Sequence, residues 1–316
     1  MSDQRRQGFV LADKPIEWGS ARLVGQLQRT LLEQSPEPPS GRRKRPTVGH
    51  TGTLDRFAGG LMLLLVGRCT ALADFFLHAD KTYLADFAFG QSTDTHDCTG
   101  AVDNAVPEHE ARIFFESRLD DIQAEIRSFI NWTQQQPPLF SALKQGGRRY
   151  SDRARADQDF QQLPPTRSIR VYASEITYVN SDALRVQARI HVSGGTYIRS
   201  FARDLGNQLG IPVHLAALRR IALGEHRLDQ AGIWHPDEEG TQPVIRPITD
   251  ALPHWPECMI RNDHDYAALR NGRRVQLENV PEEGRDFFVV DEDGEALAWA
   301  RSTGGGAYRY ARVFLE

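Results

Sequence analysis

Residues 49–60 read GHTGTLDRFAGG, and the apolar run LMLLLV follows at 61–66. Glycine loses the most backbone entropy on ordering, so four glycines in twelve positions predict a loop rather than a helix or strand. The apolar run predicts a buried segment that holds this loop against a core. One acid, Asp55, and one imidazole, His50, lie within the loop. The stretch therefore places ionisable groups on a rigid support, an arrangement suited to catalysis.

Asp55 is the candidate catalytic group of this loop. A carboxylate can act as a nucleophile or as a general base, and it can also bind a metal. A metal site is disfavoured because no second Asp, Glu or His lies at ligand spacing within the loop. The structural alternative is a turn aspartate that hydrogen-bonds its own backbone, and the glycine pattern alone does not separate the two.

Length and composition indicate a globular protein with more than one domain. A chain of 316 residues predicts one large and one small domain, and its 40% hydrophobic and 25% charged residues are ordinary. The three cysteines, Cys69, Cys98 and Cys258, are widely spaced, which excludes a disulfide scaffold and fits a reducing cytoplasm. We expect no signal peptide and no membrane span, because the longest apolar run is far too short.

The charge of the chain is unevenly distributed. The net charge is −4, but residues 229–316 carry 9 Lys and Arg against 17 Asp and Glu, whereas residues 1–228 carry 29 against 25. A polyanion is therefore expected to meet the N-terminal part of the chain first.

Further motifs occur in order along the chain. They are DKP at 13–15 with Gly19 and Ser20 after it, GQSTDTHDCTG at 90–100, QPPLFSALK at 136–144, SGGTYIR at 193–199, and HLAALRR at 214–220. Together with residues 49–55, they resemble the motifs of the TruB-type tRNA pseudouridine synthases. The resemblance covers about residues 8–250, and its blocks at 49–55 and 193–199 are the most specific. It departs at 56–60, where the family usually has Pro-Leu-Ala-Thr-Gly and this chain has Arg-Phe-Ala-Gly-Gly.

The resemblance implies an α+β architecture, the pseudouridine synthase fold, with a mixed, largely antiparallel central sheet flanked by helices. It also implies a small β-rich, PUA-like C-terminal domain. We place the catalytic domain at 1–247 and the C-terminal domain at 248–316, because residues 236–247 are rich in acids, glycine and proline, as linkers are. The Asn271-Gly272 and Asp293-Gly294 pairs predict tight turns in the C-terminal part.

The activity implied by the resemblance is the isomerisation of uridine to pseudouridine at position 55, in the T arm of tRNA. No cofactor and no metal are implied, and we expect a cytoplasmic monomer. Asp55 is the implied catalytic residue. The implied substrate-binding residues are His50, Tyr83, Tyr197, Arg199 and Leu218.

Each of these residues has an implied role. Tyr83 stacks on the flipped base, Tyr197 and Leu218 line the uracil pocket, and Arg199 forms an ion pair with Asp55. His50 occupies the place vacated by the base or contacts the RNA backbone. From the residues alone, Tyr83 would be an ordinary strand tyrosine, Leu218 a core residue, and an Arg–Asp pair merely structural.

Local patterns add expectations about structure. Tyr197 and Arg199 are two apart, so on an extended strand they would share a face. We interpret the cluster of Asp94, His96 and Asp97 as a solvated loop rather than a metal site. Lys14 is expected either to contact phosphate or to be solvated at a strand end. Periodicity predicts helices at 21–32, 70–77, 107–130 and 201–209, and strands at 81–90, 169–178 and 183–191.

Other functions remain open at this stage. A related synthase could act on a different RNA, and a non-catalytic RNA-binding or tRNA-folding protein could use the same fold. The joint presence of Asp55, Tyr83 and Arg199 argues against loss of catalysis. An Asp-dependent hydrolase is disfavoured because no paired acid and base or metal set accompanies Asp55.

The basic run RRKR at 42–45 lies a few residues before the Asp55 loop and is expected to contact phosphates. Reversing all four charges should flatten the dependence of RNA affinity on salt concentration, because fewer counterions are released on binding. The measurement is the slope of log affinity against log salt. An unchanged slope would contradict the assignment.

Overall fold

The computed structural model describes residues 7–34, 46–141, 143–156 and 162–315. The basic run at 42–45 lies outside these residues, as does Ala142 of the QPPLFSALK motif. Within the described ranges, no helix combines the length and the hydrophobicity that crossing a bilayer requires.

The helices broadly follow the predicted pattern. The helix predicted at 107–130 is divided in two, because the backbone of Arg118 leaves the helical region (φ −119°, ψ 18°). The helix predicted at 70–77 is a 3-10 helix at Gly67–Leu72 that continues into an α-helix. The α-helices are α1 (Ser20–Glu33), α2 (Ala73–His78), α3 (Glu108–Ser117), α4 (Leu119–Ser128), α5 (Tyr150–Ala156), α6 (Ile198–Leu209) and α7 (Asp263–Arg270).

The strands are short and numerous. They are β1 (Gly8–Lys14), β2 (Val48–His50), β3 (Gly59–Val66), β4 (Lys81–Phe89), β5 (Gln91–Thr93), β6 (Val102–Ala105), β7 (Gln134–Gln135), β8 (Lys144–Gln145), β9 (Arg148–Arg149), β10 (Arg167–Ser168), β11 (Val171–Asn180), β12 (Arg185–Val192), β13 (Val213–Leu223), β14 (His226–Arg227), β15 (Glu257–Met259), β16 (Asp286–Val290), β17 (Ala296–Gly304) and β18 (Ala307–Val313).

The central sheet has the strand order β1-β3-β13-β4-β12-β11, with β2 paired to β3 and β14 paired to β13. Only the pairing of β13 with β3 is parallel among these strands, and the others are antiparallel. Buried residues of α1, α3, α4 and α6 pack in one hydrophobic core with this sheet. The predicted α+β architecture with a mixed, largely antiparallel sheet is confirmed.

Strand β3 is buried on both faces, which explains its uninterrupted apolar sequence. All eight of its residues are buried. Because side chains alternate along a strand, Met62, Leu64 and Val66 join the core beneath the helices, and the odd-numbered leucines join a second core. The apolar run therefore anchors the preceding loop, as its sequence predicts.

The C-terminal residues form a separate four-stranded sheet in the order β15-β16-β17-β18. One face of β16, with Phe288 and Val290, packs in the same core as Phe9 and Leu11 of β1. The other face packs in a third core with Leu269 of α7. The small β-rich unit thus covers the outer face of the central sheet. The boundary between residues 247 and 248 stays a prediction.

Gly60 fixes the contact between the two parallel strands, and its replacement should be costly. Its φ is +112°, and a Cβ there would lie 2.3 Å from the Arg220 carbonyl oxygen. Gly60→Ala should lower the free energy of unfolding by about 1–3 kcal/mol through backbone strain alone, measured by urea denaturation. The matched control is Gly25→Ala within α1, where a Cβ meets nothing within 4 Å. That change should stabilise the protein by about 0.5–1 kcal/mol. Equal effects of the two variants would contradict the argument.

Candidate active site

The loop that carries Asp55 is shorter than the glycine pattern predicts. Its first residues, up to His50, belong to β2, and Gly59 and Gly60 begin β3. Gly60 is needed for close backbone approach inside the sheet, a reason that composition does not reveal. The prediction of one irregular loop over 49–60 was therefore wrong at both ends.

The loop is anchored on both sides of Asp55. Leu54 before it and Phe57 after it are buried in the main core. Ser20 at the start of α1 accepts a hydrogen bond from the Leu54 amide at 3.0 Å and donates one to the Leu54 carbonyl at 3.3 Å. Phe57, which belongs to the segment that departs from the family pattern, therefore supports the loop. The side chain of Asp55 itself remains 44% exposed.

Asp55 forms an ion pair with Arg199. The Arg199 Nε atom lies 2.9 Å from Asp55 Oδ2, and Nη2 lies 3.4 Å from Oδ1. Arg199 also donates to the carbonyl oxygens of Thr95 and Phe140, at 3.1 and 2.9 Å. With a side chain only 6% exposed, the guanidinium is fixed by these acceptors. Such an arginine holds the carboxylate in a fixed orientation.

Arg199 lies on a helix, so the prediction that it shares a strand face with Tyr197 was wrong. The turn at Gly194 and Gly195 ends the extended segment, and Tyr197 is the N-cap of α6. Gln135 fixes this start, because its side chain bonds both the amide and the carbonyl of Tyr197 at 2.9 Å. The apolar periodicity extends over 198–209, and it was the sequence signal for a helix longer than the predicted 201–209.

A second carboxylate, Asp97, faces Arg199, with 3.7 Å between its Oδ2 and Arg199 Nε. Asp97 is 3% exposed, and it accepts hydrogen bonds from the Thr95 hydroxyl and from the amide and hydroxyl of Thr99. Burial and the cations of Arg203 and Arg199 lower the pKa of the neighbouring His96. The interpretation of 94–97 as a solvated loop was wrong at Asp97, because long-range pairing with Arg199 allows a buried charge.

A cavity of about 220 Å³ opens beside Asp55. This is below the roughly 300–1,000 Å³ of sites for drug-sized ligands, so it suits one aromatic ring of a substrate. Burial raises the pKa of Tyr197, so its hydroxyl stays protonated at neutral pH. Side chains of several types meet at the cavity: Asp55, Leu77, Lys81, Tyr83, Tyr197, Arg199, Leu218 and Arg220.

Most of the predicted site residues therefore lie together. Asp55 and Arg199 are paired, and Tyr83, Tyr197 and Leu218 line the same cavity. His50 is not among the lining residues. It is partly exposed at the end of β2, where its Nδ1 atom lies 3.4 Å from the Gly52 amide.

Sequence reasoning missed the buried cations at this site. Lys14, expected in solvent or on phosphate, is 0% exposed and donates to the carbonyl oxygens of Pro15 and Trp18. Lys81 is 5% exposed and donates to three carbonyl oxygens at the end of α2. Burial lowers the pKa of each lysine to about 8. Lys81 and Tyr83 are two positions apart, as are Leu218 and Arg220, so the members of each pair lie on the same face of their strand. This spacing was the sequence signal for cations at the cavity.

Metal ligation has no candidate within the described ranges, where no group of three or more His, Cys, Asp or Glu side chains is placed to hold an ion.

A solved structure with the same fold is "Structure of H/ACA RNP bound to a substrate RNA containing 2'-deoxyuridine". It has a TM-score of 0.64 and 20% identity, over 99% of this chain and 86% of that chain. The family model "TruB family pseudouridylate synthase (N terminal domain)" matches residues 42–198. A tRNA pseudouridine synthase B from Leptospira interrogans is 32% identical over 98% of this chain and 95% of that protein. Another from Bordetella pertussis is 36% identical over 71% and 84%.

The fold, the cavity and these matches define an enzyme that isomerises uridine to pseudouridine. The chain belongs to the TruB family of pseudouridine synthases.

The buried lysines give the protein a specific dependence of stability on pH. Because their pKa falls from 10.5 to about 8 on folding, the unfolded chain binds more protons than the folded chain between these values. The free energy of unfolding contributed by each lysine should therefore rise as the pH rises from 8 to 10.5. Lys81→Met should show a smaller rise than the wild type, measured by urea denaturation across this range. Identical slopes would contradict the burial of a charged Lys81.

Proposed function

We propose that this enzyme converts uridine to pseudouridine at position 55 in the T arm of tRNA, with Asp55 as the catalytic carboxylate. The observation that carries the proposal is the Asp55–Arg199 ion pair at the edge of a ring-sized cavity. The relatives from Leptospira interrogans and Bordetella pertussis are both named tRNA pseudouridine synthase B, which supports a tRNA substrate.

Among the residues that the structure describes, Asp55 is the one carboxylate that borders the cavity. Its partial exposure leaves it open to a substrate, while the ion pair with Arg199 orients it. An ionised carboxylate can attack the ribose or the ring, or take up a proton, and in each role the contact with Arg199 orients it. Asp97 Oδ2 lies 3.7 Å from the same Arg199 Nε atom, and we assign Asp97 as a positioning residue.

The target uridine enters the cavity as a flipped base. Flipping costs a few kcal/mol of lost stacking, and stacking on an aromatic side chain returns about 1–3 kcal/mol. Tyr83, which is 8% exposed at the cavity, supplies that ring. Tyr197 and Leu218 form further walls around the uracil. His50, outside the cavity, occupies the space that the base leaves or contacts the RNA backbone.

The reaction needs no cofactor, because the base is detached, rotated and rejoined through carbon without a change of oxidation state. We propose a monomer as the working form. The thiols of Cys69, Cys98 and Cys258 are free, which supports a cytoplasmic location. We assign catalysis to residues 1–247 and an accessory role in RNA binding to 248–316.

Asp55→Ala should reduce pseudouridine formation on an unmodified tRNA transcript by about 10⁴-fold, the scale for loss of a central catalytic group. Affinity for the tRNA should remain nearly unchanged, because the carboxylate makes no favourable contact with phosphates. The measurements are single-turnover product formation at the T-arm uridine and filter binding of the same transcript.

The matched control is Asp121→Ala, which removes an exposed carboxylate that also pairs with an arginine, Arg118. This variant should retain the wild-type rate. Substantial turnover by Asp55→Ala would contradict the catalytic assignment, and wild-type product only at another uridine would contradict the T-arm target.

A further inference from the structure

Arg220 has an unused hydrogen-bond donor at the cavity. Its side chain is among the largest fully buried ones, with the residue 1% exposed, and its Nε atom donates to the Leu61 carbonyl at 2.7 Å. Its Nη2 atom is buried and has no hydrogen-bond partner among the described residues. Leaving a buried polar group without a hydrogen bond destabilises the fold, and more so when the group is charged. Such an atom in a native site points to a partner that binds there.

The position of Arg220 is fixed relative to the proposed base-stacking residue. In the register of β13 and β4, Arg220 is directly opposite Tyr83. Gly60 of β3 has no side chain, so its backbone lies directly against the backbone of Arg220 in β13. This contact fixes the position of Arg220. Arg220 and Tyr83 line the same cavity.

The two buried lysines do not compete for this role. Lys81 Nζ already donates to the carbonyls of Phe76, Leu77 and Ala79, which uses its three protons. Lys14 Nζ donates to two carbonyls and is not among the residues that line the cavity. The charge of Arg220 contributes to the lowered pKa of both lysines, so the three cations share one electropositive region. Among the described residues that line the cavity, Arg220 is therefore the cation with a buried nitrogen that has no partner.

We propose that Arg220 is a further catalytic residue, whose Nη2 donates a hydrogen bond to a carbonyl oxygen of the target uracil. This inference rests on the proposed function, because it requires the base in the cavity. When the bond between C1′ and N1 breaks, its electron pair stays on the ring, and the carbonyl oxygens share the negative charge. Arg220 stabilises that charge. A new bond then joins C1′ to C5, C5 loses its proton and N1 gains one, so the product is an isomer.

A base carbonyl fits this donor better than a phosphate oxygen. Arg220 lines the cavity and is almost completely buried, so its unpaired nitrogen is shielded from solvent. A cavity of about 220 Å³ suits the ring, whereas the phosphates remain with the RNA backbone outside. A buried guanidinium aimed at developing charge acts as an oxyanion hole does.

The test combines Arg220→Gln with altered substrates. Transcripts carry uridine, 2-thiouridine or 4-thiouridine at the target, because a sulfur atom accepts hydrogen bonds weakly. At saturating tRNA, Arg220→Gln should slow single-turnover product formation by about a hundredfold, with unchanged tRNA affinity. One of the two thio substitutions should slow the wild type yet have no further effect in Arg220→Gln.

Several outcomes would overturn the proposal. Fully additive effects of the variant and both thio substitutions would mean that Arg220 does not contact the base. If the effect of Arg220→Gln were instead non-additive with that of a phosphorothioate beside the target, and additive with those of the thio bases, Arg220 would be assigned to a phosphate. An unchanged rate in Arg220→Gln would exclude a catalytic role.

Controls separate folding from chemistry. Arg185→Gln removes an arginine of the same sheet that is 45% exposed and paired with Asp86, and it should keep the wild-type rate. If Arg220→Gln does not fold, the same substrate comparison is made with Arg220→Lys, which retains the charge. If the wild type modifies a different uridine, the T-arm assignment fails, and the Arg220 comparison is made with the substitutions at that uridine.

Discussion

The ion pair between Asp55 and Arg199 is the interaction on which the site depends, and it joins residues 144 positions apart in the chain. Its arginine also bonds the carbonyls of Thr95 and Phe140, so four separate segments converge on one guanidinium. Removing such a group from water is expensive unless its donors are satisfied. Here the carboxylates of Asp55 and Asp97 and the two carbonyls offset that cost. The Asp55 carboxylate is therefore oriented only when the loops around Arg199 are folded together.

The support for this pair comes from a strand with two buried faces. Through its alternating side chains, β3 belongs to the core beneath the helices and to the core shared with the C-terminal unit. The Asp55 loop enters this strand directly, so movement of the loop base would disturb both cores. Trp255, Phe75 and Trp299 add aromatic contacts between the main part and the C-terminal sheet, with ring centroids 4.8 to 6.0 Å apart. The small unit, which is acidic, thereby contributes packing as well as surface.

Local sequence was sufficient for most elements but not for the buried charges. Alternation identified β4, and the left-handed Gly210 ended α6 as predicted, because both depend on neighbouring residues. The family motifs brought Asp55, Tyr83 and Arg199 to attention. Asp97 was misread because its burial depends on an arginine more than a hundred positions away. Lys14 was misread for a different reason: its partners, the carbonyls of Pro15 and Trp18, are close in sequence, but its complete burial arises only in the folded chain. No periodicity encodes such pairings.

The strand order also constrains how the enzyme is synthesised. Strands β3 and β4 are close in sequence, yet β13 lies between them, and it begins only at Val213. Before β13 is synthesised, a nascent chain can therefore pair β1 with β3, and β4 with β12. The edges of β3 and β4 that will contact β13 remain unpaired, with a gap between them. Exposed edges of this kind invite pairing with other chains. Strand β13, which leaves the ribosome after β1, β3, β4 and β12, fills that gap and brings Leu218 and Arg220 to the cavity. Completion of the sheet and completion of the active site are thus one late event.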